Sequence, residues 1–288
     1  MLSPVAWLAI SWLGAAVVMM LLWVWSSRSR SSVDAARAGC TALTGALAVV
    51  YATQLDGMVG RRLAIASMVA SWCAWRLVYI VYARMFVEGS PEGSATPTRE
   101  RPGRVSPLAS FQAFAAVAVV LSLPALVAST NGDPDFSLLE LAGAALWLAA
   151  FAGASTADRQ LLHFRSDPEH AGQVCAVGLW KYSRHPDAFC DSLLWTSIAL
   201  FACASPWGIA TIASPLVVLF LIFRRAGIRA ADEELLQKFG GVYAAYRDTT
   251  SAFIPWPPKT AAHVETAPSS AGSPASPASP APSSTEAP

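Results

Sequence analysis

The sequence predicts an all-α polytopic membrane protein, a bundle of about seven transmembrane helices with a disordered C-terminal tail. Hydrophobic residues make up 54% of the chain and charged residues only 14%, whereas soluble domains have roughly 25% charged residues. The apolar residues are concentrated in blocks near the roughly 20 residues that a helix needs to cross a bilayer. We therefore expect one membrane-embedded domain, residues 1–259. The Ala, Ser and Pro repeats that follow predict a disordered tail, residues 260–288.

Seven apolar segments predict the helices, although the second and the last two are short for a crossing. In chain order they are Val5–Trp25, Ala36–Ala52, Leu63–Phe86, Phe111–Ala128, Leu138–Ala157, Phe189–Cys203 and Gly208–Phe223. No positively charged region precedes the first segment, so we expect a retained helix rather than a cleaved signal peptide. The stretch Glu88–Pro107 is rich in Gly, Pro, Ser and Thr, which predicts an irregular loop.

Basic residues predict the orientation, because cytoplasmic loops carry an excess of Lys and Arg. These residues cluster after the odd-numbered segments: Arg28, Arg30 and Arg37; Arg84, Arg99, Arg101 and Arg104; Arg159, Arg165, Lys181 and Arg184; Arg224, Arg225 and Arg229. The other side has Arg61, Arg62 and the acidic turn Asn131–Asp135. We expect an outside or lumenal N-terminus and a cytosolic C-terminus. The membrane would be the endoplasmic reticulum in a eukaryote or the inner membrane in a bacterium.

The composition also argues against several functions. A formal net charge of +1 gives no basic domain, so we expect no nucleic-acid partner. The five cysteines and four histidines lack metal-ligand spacing, and we expect no metal site. No glycine-rich phosphate loop is present, which disfavours a Rossmann-type dinucleotide site. The expected partners are the lipid bilayer and a lipophilic small molecule, and the sequence indicates no protein partner.

The segment Gly178–Asp187, between the fifth and sixth apolar segments, is the most distinctive motif. It places Lys, Tyr, Arg and His side chains at a membrane boundary. Pro186 is a typical first-turn residue, so a helix beginning there carries Asp187 and Asp191 on one face. Such carboxylates can accept hydrogen bonds from ribose hydroxyls or a carboxamide. Alternatively, they only complement the helix dipole.

Arg184 and His185 in this motif have two interpretations each. Arg184 can bind a phosphate through two parallel N–H groups, or it can be an interfacial cation attracted to lipid headgroups. His185 is a candidate proton donor, although a lone histidine before proline is more often structural. Cations and hydrogen-bonding groups at this boundary suit a phosphate-bearing cofactor whose co-substrate is dissolved in lipid.

Charged and aromatic residues elsewhere complete the candidate site. Arg76 lies in the middle of the third segment, where we expect it to face the bundle interior. Tyr79 is either a phenolic proton donor or part of an interfacial aromatic belt. Asp158 and Arg165 can share one face of a juxtamembrane helix. The stretch Arg229–Lys238 predicts a charged amphipathic helix after the last segment.

Several of these stretches together resemble the uncharacterised membrane relatives of the steroid 5-alpha-reductase C-terminal domain. The resemblance covers roughly Trp72 to Lys259 and is carried by Ala157-Asp-Arg-Gln, Gly178-Leu-Trp-Lys-Tyr-Ser-Arg-His-Pro186, Tyr243-Ala-Ala-Tyr246 and Thr250-Ser-Ala-Phe-Ile-Pro-Trp-Pro-Pro-Lys259. It implies a helical bundle whose cavity is open to lipid and cytosol, in which NADPH reduces an activated carbon–carbon double bond.

The resemblance also implies roles for individual residues. Asp158 and Arg165 match cofactor-binding positions, and Tyr182 belongs to the same motif. Asp187 stands where the reductases use asparagine, and Asp191 where they use glutamate. Arg184 and His185 would join these residues around the cofactor. Arg76 or Tyr79 would polarise the substrate carbonyl or donate a proton.

Two alternatives remain open. The first is an S-adenosylmethionine-dependent lipid or prenyl-cysteine methyltransferase, which the chain resembles at His185-Pro186, Asp232-Glu-Glu234, Phe239-Gly240 and Tyr243. The second is a non-catalytic member of the fold. Its support is that Ala154 replaces a glutamate common in relatives, and that Asp187-Ala-Phe-Cys-Asp191 replaces their Asn-Tyr-Phe-Gly-Glu.

Overall fold

The structure is a computed structural model that describes residues 3–26, 32–82, 106–224 and 228–259. Within these ranges the chain is helical, and its one β contact is an isolated parallel bridge between Ser183 and Ser251. The helices are α1 (Pro4–Ser26), α2 (Ser32–Gln54), α3 (Val59–Tyr82), α4 (Pro107–Ser129), α5 (Leu138–Ser166), α6 (Pro186–Ala202), α7 (Ala213–Arg224), α8 (Ile228–Phe239) and α9 (Gly241–Thr249). Short 3-10 helices cover Pro168–His170, Gly178–Lys181 and Gly208–Ile212. The predicted tail, residues 260–288, lies outside the described residues.

The protein is an integral membrane protein with an all-α fold, as the sequence predicts. Six described stretches are long and apolar enough to cross a bilayer: Pro4–Ser26, Ala35–Gln54, Val59–Tyr82, Pro107–Ser129, Leu138–Ser166 and Gly208–Phe239. The sixth of the seven predicted helices, α6, has 17 residues. We call the end of the bundle where α3 and α5 finish and α6 begins the site end, and the opposite end the far end.

One predicted boundary, the end of the fifth helix, is wrong in a way that matters for the site. Helix α5 continues to Ser166, nine residues past the predicted Ala157. Asp158 and Arg165 therefore lie on the membrane-crossing helix itself and not on a separate surface helix. Charged residues lower the hydropathy of this last stretch without lowering its helix propensity, because Arg, Gln and Leu are good helix formers.

Helix α6 lies at the centre of the bundle. Leu194, Trp195, Ile198 and Phe201 are each at most 2% exposed. The indole of Trp195 meets that of Trp72 on α3 edge to face, with ring centroids 5.0 Å apart. A short helix surrounded by protein need not match the bilayer thickness, because its ends are covered by other elements.

Two glycines let α5 approach α6 closely. A Cβ atom added at Gly143 would lie 2.8 Å from the backbone nitrogen of Phe201, and one at Gly153 would lie 2.7 Å from Cys190 Sγ. Small residues at such interfaces let helix backbones approach within van der Waals contact. This contact fixes the position of Asp158 on α5 relative to Asp191 on α6.

An ion pair between Arg61 and Glu140 joins α3 to α5 at the far end. Both side chains are 1% exposed. Glu140 also caps α5 by accepting from the backbone N–H of Ser137 at 2.7 Å. The remaining guanidinium N–H groups of Arg61 donate to the carbonyls of Asn131, Asp133 and Asp135. The sequence places Arg61 before the third helix, but it lies inside α3, where its charge is fully paired.

Candidate functional site

Arg76 of α3 lies between two carboxylates from different helices. Its Nη1 is 3.5 Å from Asp158 Oδ2 on α5, and its Nη2 is 3.8 Å from Asp191 Oδ2 on α6. The side chains are 27%, 2% and 15% exposed for Arg76, Asp158 and Asp191. The expectation that Arg76 faces the interior is confirmed, and its two partners join the three central helices at the site end.

Two tryptophans hold the same carboxylates. Trp75 Nε1 donates to Asp158 Oδ2 at 2.9 Å, and Trp72 Nε1 donates to Asp191 Oδ1 at 3.1 Å. Each carboxylate therefore has one indole donor and one contact with Arg76. Neither tryptophan is among the site residues predicted from the sequence. The spacing of positions 72, 75, 76 and 79 could have identified them, because it places all four side chains on one helix face.

Tyr79 completes that face of α3. Its ring lies 5.5 Å from the guanidinium carbon of Arg76, a distance at which a cation and an aromatic face attract each other. Its hydroxyl makes no hydrogen bond to any described residue. The two residues predicted for catalysis, Arg76 and Tyr79, are thus in contact with each other.

A second cluster surrounds Asp232 of α8. Arg184 Nη2 lies 3.1 Å from Asp232 Oδ2, and His185 Nε2 lies 3.1 Å from Oδ1. The hydroxyl of Tyr243, on α9, donates to the same Oδ1. Burial and this hydrogen bond both raise the pKa of Tyr243, so its hydroxyl keeps its proton. These contacts bring the Gly178–Asp187 motif together with α8 and α9.

Hydrogen bonds and a ring contact join the segment after α9 to the Gly178–Asp187 motif and to α6. The Arg184 N–H donates to the Ser251 carbonyl at 2.9 Å, and the Ser183 hydroxyl donates to the Phe253 carbonyl at 2.8 Å. The Phe253 ring packs edge to face against Phe189 of α6, with centroids 5.5 Å apart. This explains why two motifs about 70 residues apart in the sequence occur together in the resemblance.

Three buried atoms near the start of α6 have no hydrogen-bond partner among the described residues. They are Nε and Nη1 of Arg184 and Oδ1 of Asp187. Arg184 is only 8% exposed, and a buried donor without a partner costs about 1–3 kcal/mol. In folded proteins such groups are explained by ordered water, a bound ion, strain or a catalytic role. The guanidinium can take a ligand's anion, and the carboxylate can take a ligand's hydroxyl or amide.

Two predicted cofactor residues lie apart from these clusters. Arg165 is exposed near the end of α5. The Tyr182 side chain is 42% exposed, and its backbone carbonyl accepts from the Trp256 N–H at 3.0 Å. Asp158, a predicted cofactor residue, accepts from Trp75 Nε1 and forms an ion pair with Arg76. Within the described ranges, no group of three or more His, Cys, Asp or Glu side chains could hold a metal ion.

Comparisons with known proteins identify one family. A family model described as "Protein of unknown function (DUF1295)" matches residues 20–250. No curated protein matches the chain, and no solved structure matches it. The matched range includes both clusters, from Arg76 on α3 to Tyr243 on α9.

Proposed function

The chain belongs to the family of proteins of unknown function DUF1295, and we propose that it is a membrane-embedded, NADPH-dependent reductase. Its substrate would be a carbon–carbon double bond in a lipid, sterol or isoprenoid. The observation that supports this most is the buried guanidinium of Arg184, two of whose nitrogens have no hydrogen-bond partner among the described residues. It lies directly before the N-terminus of α6, where backbone N–H groups also favour an anion.

The cofactor residues have distinct tasks in this proposal. Arg184 binds a phosphate through one of the two nitrogens that have no partner among the described residues, since a charge-assisted hydrogen bond to an anion is stronger than a neutral one. Asp187 accepts a hydrogen bond from a ribose hydroxyl or the carboxamide through its unpaired Oδ1. Asp158 and Asp191 act differently from the sequence expectation, because both already bind Arg76 and an indole. We assign them to positioning Arg76, while Arg165 and Tyr182 stay candidates for the cofactor's outer part.

The reaction needs a hydride and a proton. NADPH, when bound, supplies the hydride to the substrate carbon that lies two bonds from a carbonyl carbon. Arg76 stabilises the negative charge that then develops on the carbonyl oxygen. Tyr79 donates a proton to the adjacent carbon, and solvent returns one to the phenolate. The contact between Arg76 and Tyr79 supports this division, because it places the cation and the proton donor next to each other.

A methyltransferase is the second candidate, and one observation favours it. His185, Asp232 and Tyr243, at which the chain resembles S-adenosylmethionine-dependent methyltransferases, meet in one hydrogen-bonded network. In that case the Arg184 nitrogens that have no partner among the described residues would bind the carboxylate of the methionine moiety. A protein that only keeps the fold would bind neither cofactor.

Thermal unfolding of the purified protein separates these functions. We expect NADPH to raise the midpoint in a concentration-dependent way, since a ligand that binds only the folded state stabilises it. S-adenosylmethionine should have no effect. The reverse pattern would establish the methyltransferase, and no shift with either cofactor would leave the non-catalytic reading.

We also propose that the site end faces the cytosol and that the C-terminus is cytosolic. The support is the excess of basic residues after the odd-numbered helices. A cysteine placed at Arg247, an exposed position on α9, should react with a membrane-impermeant maleimide only after the membrane is opened. Labelling in sealed cells would contradict this orientation.

A further inference from the structure

A pocket of about 380 Å³ lies between α3 and α5 near the site end. Its lining residues come from the last turns of both helices: Trp75, Val78, Tyr79, Tyr82, Arg159, Leu162, His163 and Ser166. Val78 is 61% exposed, so the pocket opens on the outer surface of the bundle. An opening at this level of a spanning helix faces lipid and its headgroups.

The pocket has an apolar side and a polar end. Trp75, Val78, Tyr79 and Leu162 form an apolar and aromatic surface, whereas the end formed by the last turns of α5 carries a guanidinium, an imidazole and a hydroxyl. Among the described residues, none of the lining side chains is acidic. The pocket therefore matches an amphiphile whose apolar chain lies on the aromatic wall and whose headgroup is negative.

Arg159 is held in a fixed position at the polar end. Its Nε donates to the Ser155 carbonyl at 3.2 Å, and its guanidinium carbon lies 5.4 Å from the Trp75 ring centroid. Nη1 makes no hydrogen bond to any described residue. A guanidinium held by its own helix and by an aromatic face keeps N–H groups for an anion and loses little entropy on binding.

We propose that this pocket is a specific site for a single-chain anionic amphiphile, a prenyl or acyl chain that ends in a phosphate or carboxylate. The volume is near the lower limit of the roughly 300–1,000 Å³ typical of ligand pockets, which suits one chain and not the two of a phospholipid. Charge complementarity selects the headgroup, because the described lining residues include Arg159 and no carboxylate.

Two residues of the pocket wall also contact the buried cluster that contains Arg76 and Asp158. Trp75 forms part of its wall and donates to Asp158, and Tyr79 forms another part and contacts Arg76. A chain bound here therefore lies against the residues that hold that centre. The assignment of this amphiphile as the substrate rests on the proposed function, whereas the binding site itself does not.

The test is a titration of the full chain, without cofactor, in phosphatidylcholine nanodiscs. The probe is oleoyl lysophosphatidic acid, oleate distinguishes phosphate from carboxylate heads, and oleoyl lysophosphatidylcholine is the zwitterionic match. Native mass spectrometry counts bound probe. We expect saturable one-to-one binding of an anionic probe and at least tenfold weaker binding of the zwitterionic one, about the contribution of one charge-assisted hydrogen bond.

Three variants make this test specific. Arg159→Gln should weaken binding of the anionic probe about tenfold, and Val78→Trp should abolish it by filling the pocket. Arg247→Gln removes an exposed arginine outside the pocket and should leave binding unchanged. Non-saturable binding, or equal loss in Arg159→Gln and Arg247→Gln, would show general attraction to the basic rim and overturn the proposal. Thermal shifts with NADPH on the same samples report separately on the proposed function.

Discussion

Trp75 on α3 donates its indole N–H to Asp158 on α5 at 2.9 Å, across 83 positions of the sequence. One turn earlier on α3, Trp72 makes the equivalent bond to Asp191 of α6. The two tryptophans and Arg76 thus present donors on one helix face to carboxylates on two other helices. This face of α3 sets the geometry of the buried centre.

The first prediction concerns that indole bond. Trp75→Phe keeps an aromatic ring and removes the donor, so Asp158 loses one partner. We expect the free energy of unfolding to fall by about 1–3 kcal/mol, measured by denaturant titration in detergent micelles. The matched control is Trp25→Phe, because Trp25 on α1 is 70% exposed. Equal effects of the two substitutions would contradict the role of the hydrogen bond.

The second prediction concerns the charge of Arg76. Arg76→Met leaves Asp158 and Asp191 without their cation, and removing one partner of a buried pair costs about 3–5 kcal/mol. Adding Asp158→Asn and Asp191→Asn should restore much of that stability, because no unpaired charge then remains. The same denaturant titration measures all variants. A triple variant no more stable than Arg76→Met would mean that the three charges do not act together.

The third prediction concerns the ion pair at the far end. Arg61→Lys keeps a positive charge but cannot bind Glu140 and three carbonyls at once. We expect the unfolding free energy to fall by about 2–4 kcal/mol. Arg229→Lys, at an exposed position on α8, serves as the control and should change little. Because Arg61 lies at the opposite end from Arg184, the affinity of the folded variant for NADPH should stay unchanged.

The fourth prediction concerns the contact between α5 and α6. Gly143→Ala would place a methyl group 2.8 Å from a backbone nitrogen of α6, which forces the helices apart and costs about 1–3 kcal/mol. Gly14→Ala on α1 is the matched control, since nothing lies within 4 Å of its Cβ position. That change should be neutral or stabilising by about 0.5–1 kcal/mol. The thermal midpoints of both variants test the difference in sign.

Periodicity and hydropathy predicted the apolar helices and the interior position of Arg76, because an unpaired cation cannot face hydrocarbon. They could not predict the length of α5, since Asp158, Arg159 and Arg165 lower its hydropathy without breaking the helix. They also gave no role to Trp72 or Trp75. In the sequence, a tryptophan within an apolar segment cannot be distinguished from one that faces lipid. The difference is the partner of its indole N–H, and here that partner lies on a helix distant in the sequence.

The pairing of the candidate cofactor residues could not be predicted for a similar reason. A motif indicates residue types near a membrane boundary, but not which of them pair with each other. Arg184 lies beside Asp232 and has two nitrogens without partners among the described residues, whereas Asp158 and Asp191 contact donors on α3. Only the packing of the helices shows which of these side chains already have partners.

The central claim is that Arg184 binds an anionic group of NADPH, and a fluorescence titration of the nucleotide against purified protein tests it most directly. The control is Tyr243→Phe, which removes a bond to Asp232 but keeps the guanidinium. We expect saturable NADPH binding to the unmodified protein. Arg184→Gln should weaken this binding about tenfold to a hundredfold, and Tyr243→Phe should change it little. Absence of binding to the unmodified protein, or equal affinity in Arg184→Gln, would contradict it.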